Sequence, residues 1–143
     1  MRRILHATDF SKASSPAFAK ALELARQQGA QLLLLHVMSP PSPFRASEPP
    51  TDYLALLAQA RRDVERRLGA LLARARKAGV RVRSKLVEGA PAHGIVRIAR
   101  RQRADVIVIG THGRTGLRRL FLGSVAERVL QLAVCPVLTV RGR

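Results

Sequence analysis

A strand-like run, Asp105-Val106-Ile107-Val108-Ile109, leads into Gly110-Thr111-His112-Gly113-Arg114-Thr115-Gly116 and, after a further basic stretch, into Gly123-Ser124. Gly110 and Gly113 let the backbone turn sharply and approach a ligand with no Cβ in the way. Gly123-Ser124 opens a helical stretch, and the unpaired N–H groups and positive dipole end of a helix start suit phosphate. The arrangement reads as a phosphate cradle, with Arg114, Arg118 and Arg119 adding positive charge beside it. The connection is also about as long as a compact domain tolerates without a functional reason. Spacing excludes the commoner glycine motifs. There is no Gly-x4-Gly-Lys-Ser/Thr, no Gly-x-Gly-x2-Gly after the first strand and no Gly-x-Ser-x-Gly.

A second candidate is Asp9, which follows the first apolar run and Thr8. In a doubly wound sheet, strands one and four flank the point where strand order reverses, so Asp9 faces the same crevice as the glycine loop. Two roles are open to it: accepting hydrogen bonds from an adenine amino group or ribose hydroxyl, or capping the turn Asp9-Phe10-Ser11. Asp9 and His112 are both within reach of the crevice, yet neither has a partner at catalytic spacing. The four histidines, His6, His36, His93 and His112, are scattered with no HExxH or CxxC pattern, so no metal site is expected. Cys135, directly before Pro136, reads as a small buried apolar residue.

The elements that must position these groups are legible as alternation. Five apolar runs, Ile4–Ala7, Gln31–Met38, Val80–Val87, Asp105–Ile109 and Val137–Val140, are separated by helical or loop-like stretches, which predicts α/β architecture with a parallel sheet under covering helices. Four runs read as continuous and buried. Only Val80–Val87 alternates, which predicts one wet face and an edge position. Ser15-Pro16 reads as the start of a helix that Gly29 closes. A long second helix begins near Thr51 or Asp52 and ends at Gly79, with Leu54, Leu57, Val64, Leu68, Leu71 and Ala75 inward. Pro91 begins a third, with Ile95, Ile98 and Ala99 inward. Ser124–Leu132 forms a fourth, with Val125, Val129 and Leu132 inward. The stretch 39–50 holds five of the eight prolines and reads as a stiff excursion, either an insertion or a flap over a ligand.

Composition bounds the rest. A chain of 143 residues fits one domain, expected here to span 1–143, and needs no disulfide or metal to complete its core. The single cysteine excludes an internal disulfide, and no apolar run approaches the roughly 20 residues of a membrane span. The start, Met1 to Asp9, breaks to His and Asp before any long apolar stretch and does not read as a signal peptide, so a cytoplasmic protein is expected. Net charge is +17, with +3, +8 and +6 on residues 1–50, 51–100 and 101–143. Much of it falls on Arg61, Arg62, Arg66, Arg67, Arg74, Arg76 and Lys77, a basic exterior for the second helix. Such a field attracts polyanions, so a nucleic-acid or polyanion-binding protein is the alternative reading, although five aromatics offer few stacking platforms.

Gly110-x2-Gly113-x9-Gly123-Ser124 resembles the signature of ATP-binding universal stress proteins. The likeness extends over Ala7-Thr8-Asp9-Phe10-Ser11, Leu35-His36-Val37, Gly123-Ser124-Val125-Ala126 and Cys135-Pro136-Val137-Leu138-Thr139-Val140-Arg141. It departs at Ala7, where many relatives carry proline, and in its wealth of arginine. The resemblance implies a Rossmann-like sheet of order 3-2-1-4-5 with four covering helices, and a homodimer in which Val137–Val140 pairs with its twin. By the same resemblance Thr8, Asp9 and Val37 frame adenine, Gly110 and Gly113 lie near ribose and the first phosphates, and Gly123, Ser124 and Val125 hold the outer phosphates. Ala7, Thr111 and Arg114 complete the candidate set. The function expected is that of a stress-responsive regulator that binds ATP, with Mg²⁺ or Mn²⁺ held through the phosphates. It is not expected to be a turnover enzyme, at most hydrolysing ATP slowly or autophosphorylating. AMP or a cyclic nucleotide is an equally compatible ligand of the motif.

Overall fold

The computed structural model describes residues 1–39, 52–111 and 122–142. The strands are β1 (Arg3–Ala7), β2 (Gln31–Met38), β3 (Val82–Glu88), β4 (Val106–Gly110) and β5 (Val137–Val140). The helices are α1 (Ser15–Gln28), α2 (Tyr53–Lys77), α3 (Pro91–Arg101) and α4 (Ser124–Leu132), with a short 3-10 turn over Lys12–Ser14 leading into α1. All strand pairings are parallel, in the order β3-β2-β1-β4-β5. The α/β architecture and the strand order agree with the sequence reading. The bounds shift slightly: β3 begins at Val82 rather than Val80, and β4 at Val106, because Asp105 turns its carboxylate to accept from the N–H groups of Arg2 (2.6 Å) and Arg3 (2.8 Å). Those two bonds hold the Asp105 carboxyl below the usual carboxylate range.

Two apolar layers sandwich the sheet. Side chains of β1, β2 and β4 that face one way meet α1 and α2 around Phe18, Ala21, Ala25, Val64, Leu68 and Ala75. Those that face the other way meet α3 and α4 around Ile95, Ile98, Ala99, Ala126 and Val129. The central strands are buried on both faces, as a parallel sheet with helices on each side requires. β3 takes the expected edge position, but its burial does not alternate: Arg83, Ser84 and Lys85 are all exposed and Leu86 and Val87 both half-buried. β5 differs from expectation. It forms the other edge, and each of its four residues is half-buried rather than buried, because only β4 flanks it. Cys135 shares that position and is half-buried, with burial pushing its thiol pKa up.

α2 departs from its expected inward face at its first turns. Its 25 residues run ~37 Å, whereas the eight residues of β2 span only ~26 Å, so the helix overhangs the sheet. Leu54 is 79% exposed, Leu57 is half-buried, and burial begins at Val64. The proline-rich stretch and Thr51 lie outside the described residues, apart from Ser39. Among the described residues no helix is long and apolar enough to cross a membrane.

The helix-to-strand joints repeat one device. After α1, Gly29 takes φ 58° and the Ala30 N–H bonds the Ala25 carbonyl; after α2, Gly79 takes φ 77° and Val80 bonds Ala75. After α3, Arg103 fills the same place at φ 51°, and Ala104 bonds Ala99. Each is a six-to-one closure of the kind that ends helices on a left-handed residue.

Candidate functional site

The carboxyl ends of β1 and β4, at the centre of the sheet, open into a crevice of about 260 Å³. One wall is the turn after β1. Thr8 still follows the ladder, its N–H bonding the Leu35 carbonyl at 2.9 Å. Phe10 then adopts φ 62°, and the turn closes on its own side chains. Thr8 Oγ1 accepts from the Phe10 N–H (3.0 Å), and Asp9 Oδ1 accepts from the Ser11 N–H (2.9 Å). Ser11 Oγ accepts from the Ser14 N–H (3.2 Å), and Ser14 Oγ donates to the Ser11 carbonyl (2.8 Å). Asp9 thus caps its own turn, the second of the two roles open to it from sequence, and it also lines the crevice.

The opposite wall brings the ends of the glycine loop together. The Gly123 N–H bonds the Thr111 carbonyl, and the Thr111 N–H bonds the Val140 carbonyl at 3.0 Å. Gly123 is the N-cap of α4 and makes no side-chain capping bond, so the first-turn N–H groups of α4 are directed toward the crevice end. Gly110 packs closely on the 3-10 turn, where a Cβ would lie 3.1 Å from the Ala13 carbonyl oxygen and push that backbone back. The floor depends on a second glycine. A Cβ on Gly94 would meet both Val37 methyls at 2.9 Å, so only glycine lets α3 come down on the end of β2.

Nine sequence candidates meet here: Ala7, Thr8 and Asp9 from the β1 side, Val37 from β2, Gly110 and Thr111 after β4, and Gly123, Ser124 and Val125 at α4. Gly113 and Arg114 lie outside the described residues, as do His112, Arg118 and Arg119. Sequence reasoning missed Ser14, Leu35, His36, Pro91, Ile95, Ile109 and Ala126, which also line the crevice. His36 had a signal, one residue from Val37 at the end of a buried strand. Its Nδ1 lies 2.8 Å from the Thr8 carbonyl, to which it donates, and its ring leans on Phe10 at a 33° tilt with centroids 4.8 Å apart. Pro91 and Ile95 had none, because nothing local in α3 says which strand end it overlies.

The chemistry divides along the crevice. Apolar groups from Ala7, Leu35, Val37, Ile95 and Ile109 form a slot for a flat apolar body, while Ser124 and the α4 start offer a hydroxyl and N–H donors for an anion.

Residues 1–141 match the model of the universal stress protein family. Universal stress protein MJ0531 of Methanocaldococcus jannaschii is 35% identical over 140 residues, which cover 98% of this chain and 82% of that protein. Among solved structures, the MJ0577 protein, described as a test case for structure-based assignment of biochemical function, superposes with a TM-score of 0.87 at 27% identity. That match covers 99% of this chain and 96% of the other. A universal stress protein in complex with cAMP superposes with a TM-score of 0.73 at 25% identity, covering 99% and 98%.

Proposed function

The chain belongs to the universal stress protein family, and on that premise we propose that it is a nucleotide-dependent stress-response regulator whose crevice binds an adenine nucleotide, ATP first among the candidates. The observation that carries this reading is the joining, at the strand-order reversal, of an apolar slot to an uncapped helix start. The residues fit the group. Val37 and Ile95 would flank the adenine, Asp9 would meet its amino group or the ribose, and Ser124 with the α4 N–H groups would hold the phosphates. A Mg²⁺ or Mn²⁺ ion arriving with the nucleotide would neutralise phosphate charge. The cAMP complex of a family member supports adenine recognition. The role proposed is ligand binding that shifts the populations of two surface states, in a cytoplasmic homodimer paired through β5, with one domain of this family over 1–143.

Calorimetric titration of the nucleotide-stripped protein with Mg-ATP, ADP, AMP, cAMP and inorganic triphosphate, at about 0.3 M salt to screen diffuse attraction, tests it. About one ATP per chain is expected, bound more tightly than triphosphate. Gly123→Leu is the informative variant, because φ −58° and ψ 148° suit any residue and the fold should persist. It should weaken ATP at least about tenfold by filling the cradle. Unchanged affinity would remove the cradle from the site.

A further inference from the structure

On the α2 side of the Thr8–Ser14 turn, the structure has a second cavity of about 320 Å³. Thr8 and Ser14 belong to both cavities, and their hydroxyls lie 3.3 Å apart, so a single turn separates the two. Most of this second cavity's lining is apolar, with polar groups gathered along two of its sides. Its turn side presents the hydroxyls of Ser11 and Ser15, and its α2 side presents the guanidinium groups of Arg67 and Arg74. No carboxylate lines it among the described residues.

The two arginines are placed rather than loose. Arg74 lies over the Phe18 ring at 4.9 Å and Arg67 over the Phe10 ring at 5.8 Å. A guanidinium stacked on a ring keeps its in-plane N–H donors for another partner. Arg67 shares Asp63 at 3.2 Å, whereas Arg74 makes no ion pair among the described residues. They stand seven residues apart on α2, about 10 Å along its axis on one face, so together they flank the cavity rather than converge on one atom. Phe10 holds its ring beneath Arg67 from a left-handed backbone, a conformation that costs on the order of 1–3 kcal/mol in a non-glycine residue and is kept here by the two side-chain bonds of the turn. α1 starts at Ser15, with no acidic residue in its first turn. Cations, hydroxyls and an apolar floor of Ala70 and Leu71 thus face one space.

We propose that this cavity is a second ligand site, for a small phosphate-bearing anion, held by Arg67 and Arg74 with Ser11 and Ser15 as hydroxyl partners. The assignment does not rest on nucleotide binding in the crevice. Inorganic pyrophosphate and phenyl phosphate are the probes, titrated into the full-length protein at about 0.3 M salt while backbone amide shifts are followed by NMR. Saturable shifts at the amides of Ser11, Ser15 and Ala70 are expected. Tighter binding of phenyl phosphate would identify an organic phosphate as the ligand, and tighter binding of pyrophosphate an inorganic one. Arg74→Gln should weaken these shifts at least tenfold, Arg74→Lys should recover part of the loss, and Arg76→Gln, exposed on α2 outside the cavity, should leave them unchanged. Absence of saturation, or equal weakening by the Arg74 and Arg76 variants, would overturn the proposal and leave only diffuse charge. A failure of the crevice reading would register separately, at the amides of Gly123 and Ser124.

Discussion

His6 is the residue whose surroundings contradict its chemistry most sharply. It sits near the carboxyl end of β1, the central strand, fully buried, and its Nδ1 donates to the Val108 carbonyl at 3.1 Å. Its Nε2 has no hydrogen-bond partner among the described residues, and the nearest ring is Phe18 at 5.9 Å. Desolvation dominates, offset in part by the Val108 bond and the charge of Asp9, and lowers the pKa from 6.5 to about 4. The sign follows directly. Below pH 6.5 the unfolded chain takes up a proton that the folded chain refuses until about pH 4, so stability is complete above pH 6.5 and falls as the pH drops through that window. At pH 5 the loss is on the order of 2 kcal/mol relative to neutral pH. Urea unfolding of wild type and His6→Leu at pH 7.5 and 5 should show that the variant has shed most of this pH slope. Equal slopes would mean that His6 charges in place or that the strand opens to admit water.

Among the elements, the helix-to-strand joints test how far a repeated sequence cadence carries a repeated geometry. Gly29 and Gly79 meet the left-handed requirement at no steric cost, but Arg103 meets it at about 1–2 kcal/mol. Arg103→Gly relieves that strain and forfeits only some unfolded-state entropy, since Arg103 is exposed. A gain of about 0.5–1 kcal/mol, or a Tm rise of about 2–4 °C, is expected from thermal unfolding. A fall in Tm would show that the Arg103 side chain makes a stabilising contact outweighing its backbone strain. This joint also marks what the sequence made legible. Helix ends, strand identity and the edge position of β3 follow from local chemistry: a glycine after a periodic stretch, a β-branched run, an alternation of Arg and Lys with Val. The crevice was half legible for the same reason. Residues at strand ends and in the glycine loop announce themselves, whereas Pro91, Ile95 and Ala126 enter only because α3 and α4 cross particular strand ends. Leu54 lies exposed although it shares the apolar face, because periodicity records which face of a helix is apolar and not where the sheet beneath it stops.

At the scale of the whole molecule, among the described residues, the β3 edge is basic while the strand at the other edge, β5, carries no charge of its own. Arg81, Arg83 and Lys85 on the β3 edge are exposed, with Arg97, Arg100, Arg101 and Arg103 at α3, and none has an ion pair among the described residues. At the other edge, residues 132–140 contain no Asp, Glu, Lys or Arg. There β5 is half-buried throughout, and Val134 and Leu130 are 69% and 44% exposed. An uncharged, partly apolar strand edge is an adhesive surface unless something covers it, and a second copy of the same edge is the partner that the proposed homodimer supplies. The hydrogen-bonding groups are also assignable. The Pro136 and Val140 carbonyls accept from Ile107 and Thr111 of the β4 side, and because alternate residues of a strand point their N–H and C=O to opposite neighbours, Val137 and Thr139 face outward. Two bodies of +17 repel, so pairing at β5, away from the basic edge, should tighten as salt screens that repulsion. Sedimentation at 0.05 and 0.5 M NaCl should therefore show association rising with salt, the reverse of what a salt-bridged interface or a nucleic-acid contaminant would give. Thr139→Pro removes one of the two outward donors and sets a proline ring in the pairing edge without touching the β4 ladder, and edge strands tolerate proline, so it should leave a folded monomer. A dimer that survives this substitution, or that dissociates as salt rises, would place the interface on another surface and leave β5 an exposed edge in need of a different cover.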